Sequence, residues 1–185
     1  GSSVNAVPAF KEGEHSPHPW EYSLPPSAEM VTLGPGLVRF GESRLFGAHQ
    51  TVRILPGTQV ELGPEATLSF LGSVRAEGTA TQPITFTRAD PAKPFGGVVL
   101  QGAGTAGSNF TWVRLAGGAR PRPGPITYSA MLNIHNTSNV TLTQVMLSEA
   151  TGSDDVLHAA YVNGLVLRDV TVTGAPTDGI DLELS

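Results

Sequence analysis

From residue 29 onward, apolar and polar side chains alternate in short bursts separated by Gly, Pro, Asn or Asp. The runs 50–54, 59–62, 67–70, 84–86, 98–100, 109–115, 140–147 and 165–172 each keep a period of two, the mark of a strand with one buried face. The alternation itself recurs. A shift of 25 residues lays Val140 on Leu165, Leu142 on Leu167, Val145 on Val170 and Leu147 on Val172. The same shift lays Leu132 on Leu157 and Leu157 on Leu182, then Ile134 on Ala159 and Ala159 on Leu184. An earlier stretch, SNFTWVRLAGG from residue 108, copies the SNVTL at residue 138 with an offset of 30, the difference absorbed by the inserted loop ARPRPGP.

A unit this small cannot bury its own apolar face, so units must stack, with equivalent strands paired in parallel. This predicts an all-β parallel β-solenoid with coils of about 20–25 residues over 29–185, interrupted by a loop insertion near 117–127. An immunoglobulin-like sandwich also has many short strands, but its antiparallel order gives no reason for a fixed 25-residue register. Residues 1–28 have a different texture, rich in Pro, Ser and Glu without periodicity, and read as an extended lead-in. Gly1-Ser2-Ser3 looks like a cloning scar. His15 and His18 sit in an H-x-x-H outside any helix or hairpin that would fix a metal geometry, so Trp20 and Tyr22 packing on the first coil is the expectation there.

Composition narrows the choice. Twenty-two glycines and 15 prolines suit turns and short strands more than long helices. A net charge of −5 without a basic stripe offers no footprint for nucleic acid. There is no cysteine, which excludes disulfides and thiolate metal sites, and no apolar run approaches a membrane span.

The stretch VRILPGTQVELGPEATLSFLGSVRAEGTATQPITFTRAD, residues 52–90, resembles the opening coils of right-handed parallel β-helix proteins with the pectate-lyase-like fold. FGGVVLQG and SNFTWVRLAGGA extend the match to about residue 119. Pro56-Gly57 and Gly63-Pro64 turn the chain between faces, and Gly72 and Gly78 permit tight corners. The resemblance implies a right-handed β-helix and a secreted, periplasmic or cell-surface protein of the bacterial type. It does not select an activity, because lyases, glycosidases, epimerases, adhesins and surface modules share that scaffold.

Chemistry must therefore come from the outward ladders. With Leu132, Ile134, Leu157 and Ala159 inward, Met131, Asn133 and His135 point out on one coil, Val156, His158 and Ala160 on the next, and Asp181, Glu183 and Ser185 on the last. Parallel strands lie about 4.8 Å apart, so Asn133, His158 and Glu183 are expected to stack, with Asp181 beside them and Asp154, Asp155 and Asp178 on the rim. His158, Asp181 and Glu183 are the candidate acid-base groups, and Asn133, His135, Asp154, Asp155 and Asp178 the candidate substrate contacts. No metal ligand set is assigned and no cofactor is expected, Ca²⁺ being implied only under the lyase reading. The Ser153-Asp154-Asp155 run is superficially similar to the paired aspartates of galacturonan hydrolases, yet the accompanying N-x-D, G-H-G and R-x-K elements are absent. Arg168 faces outward next to Asp169, which reads as a local charge contact.

Asp and Asn at corners also stabilise turns, which is the simpler reading of Asp154, Asp155, Asp178 and the sequons at Asn109, Asn136 and Asn139. Arg120 and Arg122 lie on a loop expected to be solvated. The balance favours a non-catalytic extracellular β-helix module, a scaffold or a surface that binds carbohydrate or protein. The alternative is a fragment of a polysaccharide lyase, hydrolase or epimerase. TDGIDLELS at 177–185 reads as the first strand of a coil, so the expected end is covered by further coils, another domain or a second chain.

Overall fold

The computed structural model describes residues 28–121, 127–153, 155–174 and 178–183. Fifteen strands make up nearly all of its regular structure, with a 3₁₀ turn at Ala103–Thr105. In chain order they are β1 Glu29–Leu33, β2 Gly36–Phe40, β3 Arg44–Phe46, β4 Gln50–Ile54, β5 Thr58–Leu62, β6 Thr67–Phe70, β7 Val74–Glu77 and β8 Ile84–Arg88. Then follow β9 Gly97–Gln101, β10 Asn109–Ala116, β11 Ala130–Ser138, β12 Thr141–Ser148, β13 Asp155–Asn163, β14 Val166–Val172 and β15 Asp178–Glu183. The chain is all-β, and every pairing between these strands is parallel. Among the described residues no helix is long and apolar enough to cross a membrane.

The strands form two sheets. One has six strands in the order β15-β13-β11-β9-β6-β3. The other runs β1-β4-β7-β10-β8-β5-β2, with β12 on β10 and β14 on β12. Its branch point is β10: residues 109–111 continue the column above β7, while 113–115 continue the column above β8. Two short strands per layer thus give way to one long strand, bent at Trp112, which has φ of 51°. Gln144 and Asp169 repeat that positive φ in the two layers above.

Such corners form columns. Gly107, Asn139 and Gly164 make one, Gly117, Glu149 and Gly174 a second, and Gly102, Asn136 and Tyr161 a third, all with positive φ. A non-Gly residue there costs on the order of 1 kcal/mol. The cost is offset because the strand turns without losing the ladder on either side. The corner expectation for Asn136 and Asn139 thus matches the backbone. Gly72 serves another need: a Cβ there would collide with the carbonyl oxygen of Gln50 in the layer below.

The solenoid-like stacking follows from the alternation, since each inward residue lands on its counterpart. Leu68, Val98, Leu132 and Leu157 form one buried column, and Phe70, Leu100 and Ile134 another. Phe46 stacks on Phe70 at 5.4 Å between centroids, and Phe86 lies parallel to Phe110 at 6.5 Å. Burying each such side chain contributes about 1.5–3 kcal/mol. Outside, Arg39 donates twice to Glu61 of the next layer, which favours the same register.

Register departs from expectation in three places. The spacing is wider than 20–25 residues where the chain loops out: Glu29 pairs with Gln50, but Val98 pairs with Leu132. The SNFT and SNVT stretches do not pair at 30, because Phe110 lies on Leu142 and Leu115 on Leu147, an offset of 32. Finally, the 25-residue step holds from β11 to β13 and from β12 to β14 but shortens to 23 from β13 to β15, setting Leu157 opposite Ile180 and Ala159 opposite Leu182. The last two are slips of two residues, which preserve the inward and outward faces and so leave alternation intact.

Candidate functional site

The outward face of β9, β11 and β13 is not open to solvent. Val99, Met131, Asn133 and Val156 are fully buried or nearly so, and His135, His158 and Ala160 are buried as well. The cover is the described part of the insertion. Gly118 bridges to Phe95, Ala119 N–H donates to the Phe95 carbonyl, and Thr151 N–H donates to the Gly118 carbonyl. The Gly118 N–H also points at the Met131 sulfur at 3.3 Å. Instead of standing off as a solvated loop, 117–121 lies against the sheet, with Arg120 exposed; Arg122 lies outside the described residues. In the described residues 127–129, Tyr128 packs on the His135 ring at 5.1 Å and its hydroxyl is 3.0 Å from Gln101 Oε1.

Beyond this cover the face opens into a pocket of about 550 Å³ whose walls include His135, Asp155, His158, Tyr161, Asp181 and Glu183. The register places them. His158 lies opposite Asn133 below and Asp181 above, while His135 and Glu183 lie opposite Ala160 from either side. The small Ala160 side chain leaves room for two long ones to converge on His158. His135 Nε2 is 2.9 Å from His158 Nδ1. On the other edge of the ring, His158 Nε2 is 3.3 Å from Glu183 Oε1 and 3.5 Å from Asp181 Oδ2. A chain therefore runs from a buried imidazole through a second imidazole to two half-exposed carboxylates.

Burial and the neighbouring His158 lower the pKa of His135 to about 4, against a smaller opposing pull from Glu183. His135 is thus neutral near pH 7, able to accept at one ring nitrogen and donate at the other. Burial pushes the Tyr128 phenol up. Asp155, itself buried, lines the pocket and accepts a bond from Ser129 Oγ at 2.9 Å.

The expected stack of Asn133, His158 and Glu183 is corrected by the shortened step: Asp181, not Glu183, is opposite His158. Glu183 still reaches the same nitrogen because its side chain is long. Asn133 faces no solvent. Its amide is spent on the Ala130 N–H and on the carbonyls of Ala130 and Val98, so it braces the backbone beneath the histidines. Asp178 opens β15 opposite Asp155, its side chain outside the described residues, as is Asp154. His15, His18, Trp20 and Tyr22 also fall outside them. Asp169 accepts a bond from Gln144 in the layer below, and no ion pair joins it to Arg168 among the described residues. Sequence reading passed over Tyr128, Ser129 and Gln101, because the contacts that place them depend on how the insertion folds back. The one usable signal was Tyr128 itself, an aromatic ending a Pro-rich loop.

No protein-family model, curated protein or solved structure matches this chain.

Proposed function

We propose that this chain is a right-handed parallel β-helix and that it acts as a secreted or cell-surface binding module, with carbohydrate as the ligand of the His158 pocket. The helix reading is supported by the parallel columns and their one-layer steps; its handedness and location rest on the resemblance of residues 52–119. The observation that carries the function is the pocket: an open cleft in the volume range of small-ligand sites, with carboxylate and imidazole walls and a half-exposed aromatic, Tyr161, at its edge. Carboxylates and imidazoles hydrogen-bond hydroxyls, and an aromatic face covers the apolar side of a sugar ring. Asp155, Asp181 and Glu183 make the walls acidic, which favours neutral over anionic polysaccharides. Calorimetry against neutral and uronic-acid oligosaccharides tests this. Binding of a neutral oligosaccharide that weakens about tenfold or more in Tyr161→Ala is the expected result. Failure of every neutral oligosaccharide, or affinity unchanged by Tyr161→Ala, sinks the reading.

A second reading, polysaccharide cleavage, is favoured by one geometric fact. One ring nitrogen of His158 and one carboxylate oxygen each from Asp181 and Glu183 lie within 4.8 Å of one another, so two carboxylates and an imidazole converge on one point, the kind of group that acid-base cleavage of a glycosidic bond uses. Release of reducing ends, abolished in Glu183→Gln, would establish it over the binding module.

A further inference from the structure

We propose that His158, Asp181 and Glu183 form a binding site for a divalent transition-metal ion of the Zn²⁺ class, with His135 positioning the ligating imidazole.

The geometry points to it in three ways. The first is distance. An imidazolium donating to a carboxylate sits at about 2.7–2.9 Å. Here both carboxylates stay farther out, at 3.3 and 3.5 Å from His158 Nε2. Zn²⁺ binds nitrogen and oxygen at about 2.0–2.2 Å, and a tetrahedron has edges about 1.63 times its bond length, or about 3.3–3.5 Å between ligand atoms. The two nitrogen–oxygen separations match those edges, and with the whole donor set lying within 4.8 Å the half-exposed carboxylates close onto the ion by a shift of their side chains.

The second is the imidazole. His158 is nine-tenths buried, yet its Nε2 is aimed out of the sheet at the two carboxylates, while its Nδ1 meets His135 Nε2 at 2.9 Å. A ligating histidine is regularly fixed by a hydrogen bond at its other nitrogen, which sets the tautomer. With His158 Nδ1–H donating to His135 Nε2, the Nε2 lone pair faces the carboxylates. The His135 ring is in turn held by Tyr128 on its flank.

The third is the donor set and its surroundings. One imidazole nitrogen with two carboxylate oxygens suits a borderline ion better than Ca²⁺, which takes six to eight oxygens. Three protein ligands facing an open pocket leave a fourth position for water or a ligand hydroxyl. An ion there would anchor a sugar through its hydroxyls. That last step rests on the carbohydrate reading above; ion binding does not.

The test titrates the full chain carrying His15→Gln and His18→Gln with Zn²⁺ in competition with a chromophoric chelator, in the absence of sugar. One equivalent of Zn²⁺ is expected. His158→Gln should weaken it at least about 100-fold, and Asp181→Asn and Glu183→Gln each at least about 10-fold. His135→Gln should weaken it about 10- to 100-fold, the range for a lost outer hydrogen bond. Asp181 and Glu183 are half-exposed, so their variants keep the proposal testable if a histidine variant unfolds. Co²⁺ replacing Zn²⁺ should give the strong visible bands of a tetrahedral site. Absence of one-equivalent binding, affinity indifferent to Asp181→Asn and Glu183→Gln, or a weak octahedral Co²⁺ spectrum would each overturn it. Oligosaccharide binding is measured separately in chelator: retained sugar affinity without Zn²⁺ uptake refutes only the metal, and the reverse refutes only the carbohydrate.

Discussion

Replacing His135 by Gln should remove a pH-dependent cost from the folded state. An unfolded histidine titrates near 6.5, whereas His135 in the fold titrates at about 4 because it is buried beside His158. Between those values the unfolded chain binds a proton that the native chain refuses, so stability rises with pH across the window. Lowering the pH from 6.5 towards 4 therefore weakens the wild-type fold, and below 4 both states are protonated and the loss levels off. Each pH unit in the window corresponds to about 1.4 kcal/mol, for a ceiling of about 3 kcal/mol. Water at the open mouth of the pocket screens part of this, leaving about 1–2 kcal/mol. A Gln amide can still hydrogen-bond to His158 Nδ1 but does not titrate. Asp155, His158, Asp181, Glu183 and Tyr128 face the same space and remain in both proteins, so their common contributions cancel in the difference. Urea unfolding in chelator at pH 7.5 and 4.5 is the assay: the wild type should lose about 1–2 kcal/mol more than His135→Gln between the two conditions. Equal losses, or a wild type that gains stability as pH falls, would refute the argument.

Two further substitutions probe the corners. Glu149 has φ of 53° in a column whose other members are Gly117 and Gly174, so Glu149→Gly relieves strain of about 1–2 kcal/mol at a smaller entropic cost. A gain of roughly 0.5 kcal/mol in chemical unfolding is expected; a loss would show that the corner is not strained. Gly72→Ala drives a methyl into the Gln50 carbonyl and should cost about 1–3 kcal/mol, read as a lower melting temperature and refuted by an unchanged one.

The strands beginning at Gln50, Thr58, Thr67, Ile84, Gly97, Asn109, Thr141 and Val166 were legible because alternation is a local property that each segment carries alone. Register was less so. Nothing in the pattern distinguishes Leu182 from Ile180 as the partner of Leu157, since both are apolar and on the same face. The convergence of His158 with the two carboxylates was nonetheless accessible, because a slip of two exchanges Asp181 for Glu183 opposite the ring and leaves both in reach. The burial of Asn133 and His135 was not accessible. It comes with 117–121 and 127–129 lying back over the sheet, short segments that carry no periodicity and whose contacts are long-range. Solvent exposure inferred from strand parity holds only where no other segment lies across the face.

The bend in the nine-stranded sheet has a consequence for how such a molecule can vary. Between the two columns the chain crosses by residues 34–35 in the lowest layer, 55–57 in the next and 78–83 in the third, and then by the single residue Trp112. The ladders above and below are indifferent to that change, because hydrogen bonds register strand on strand and place no demand on what joins them. Corner length is therefore free to drift while the stack stays fixed. A lateral surface can be reshaped by insertion at one level without a compensating change at any other, as the segment that roofs His135 already illustrates.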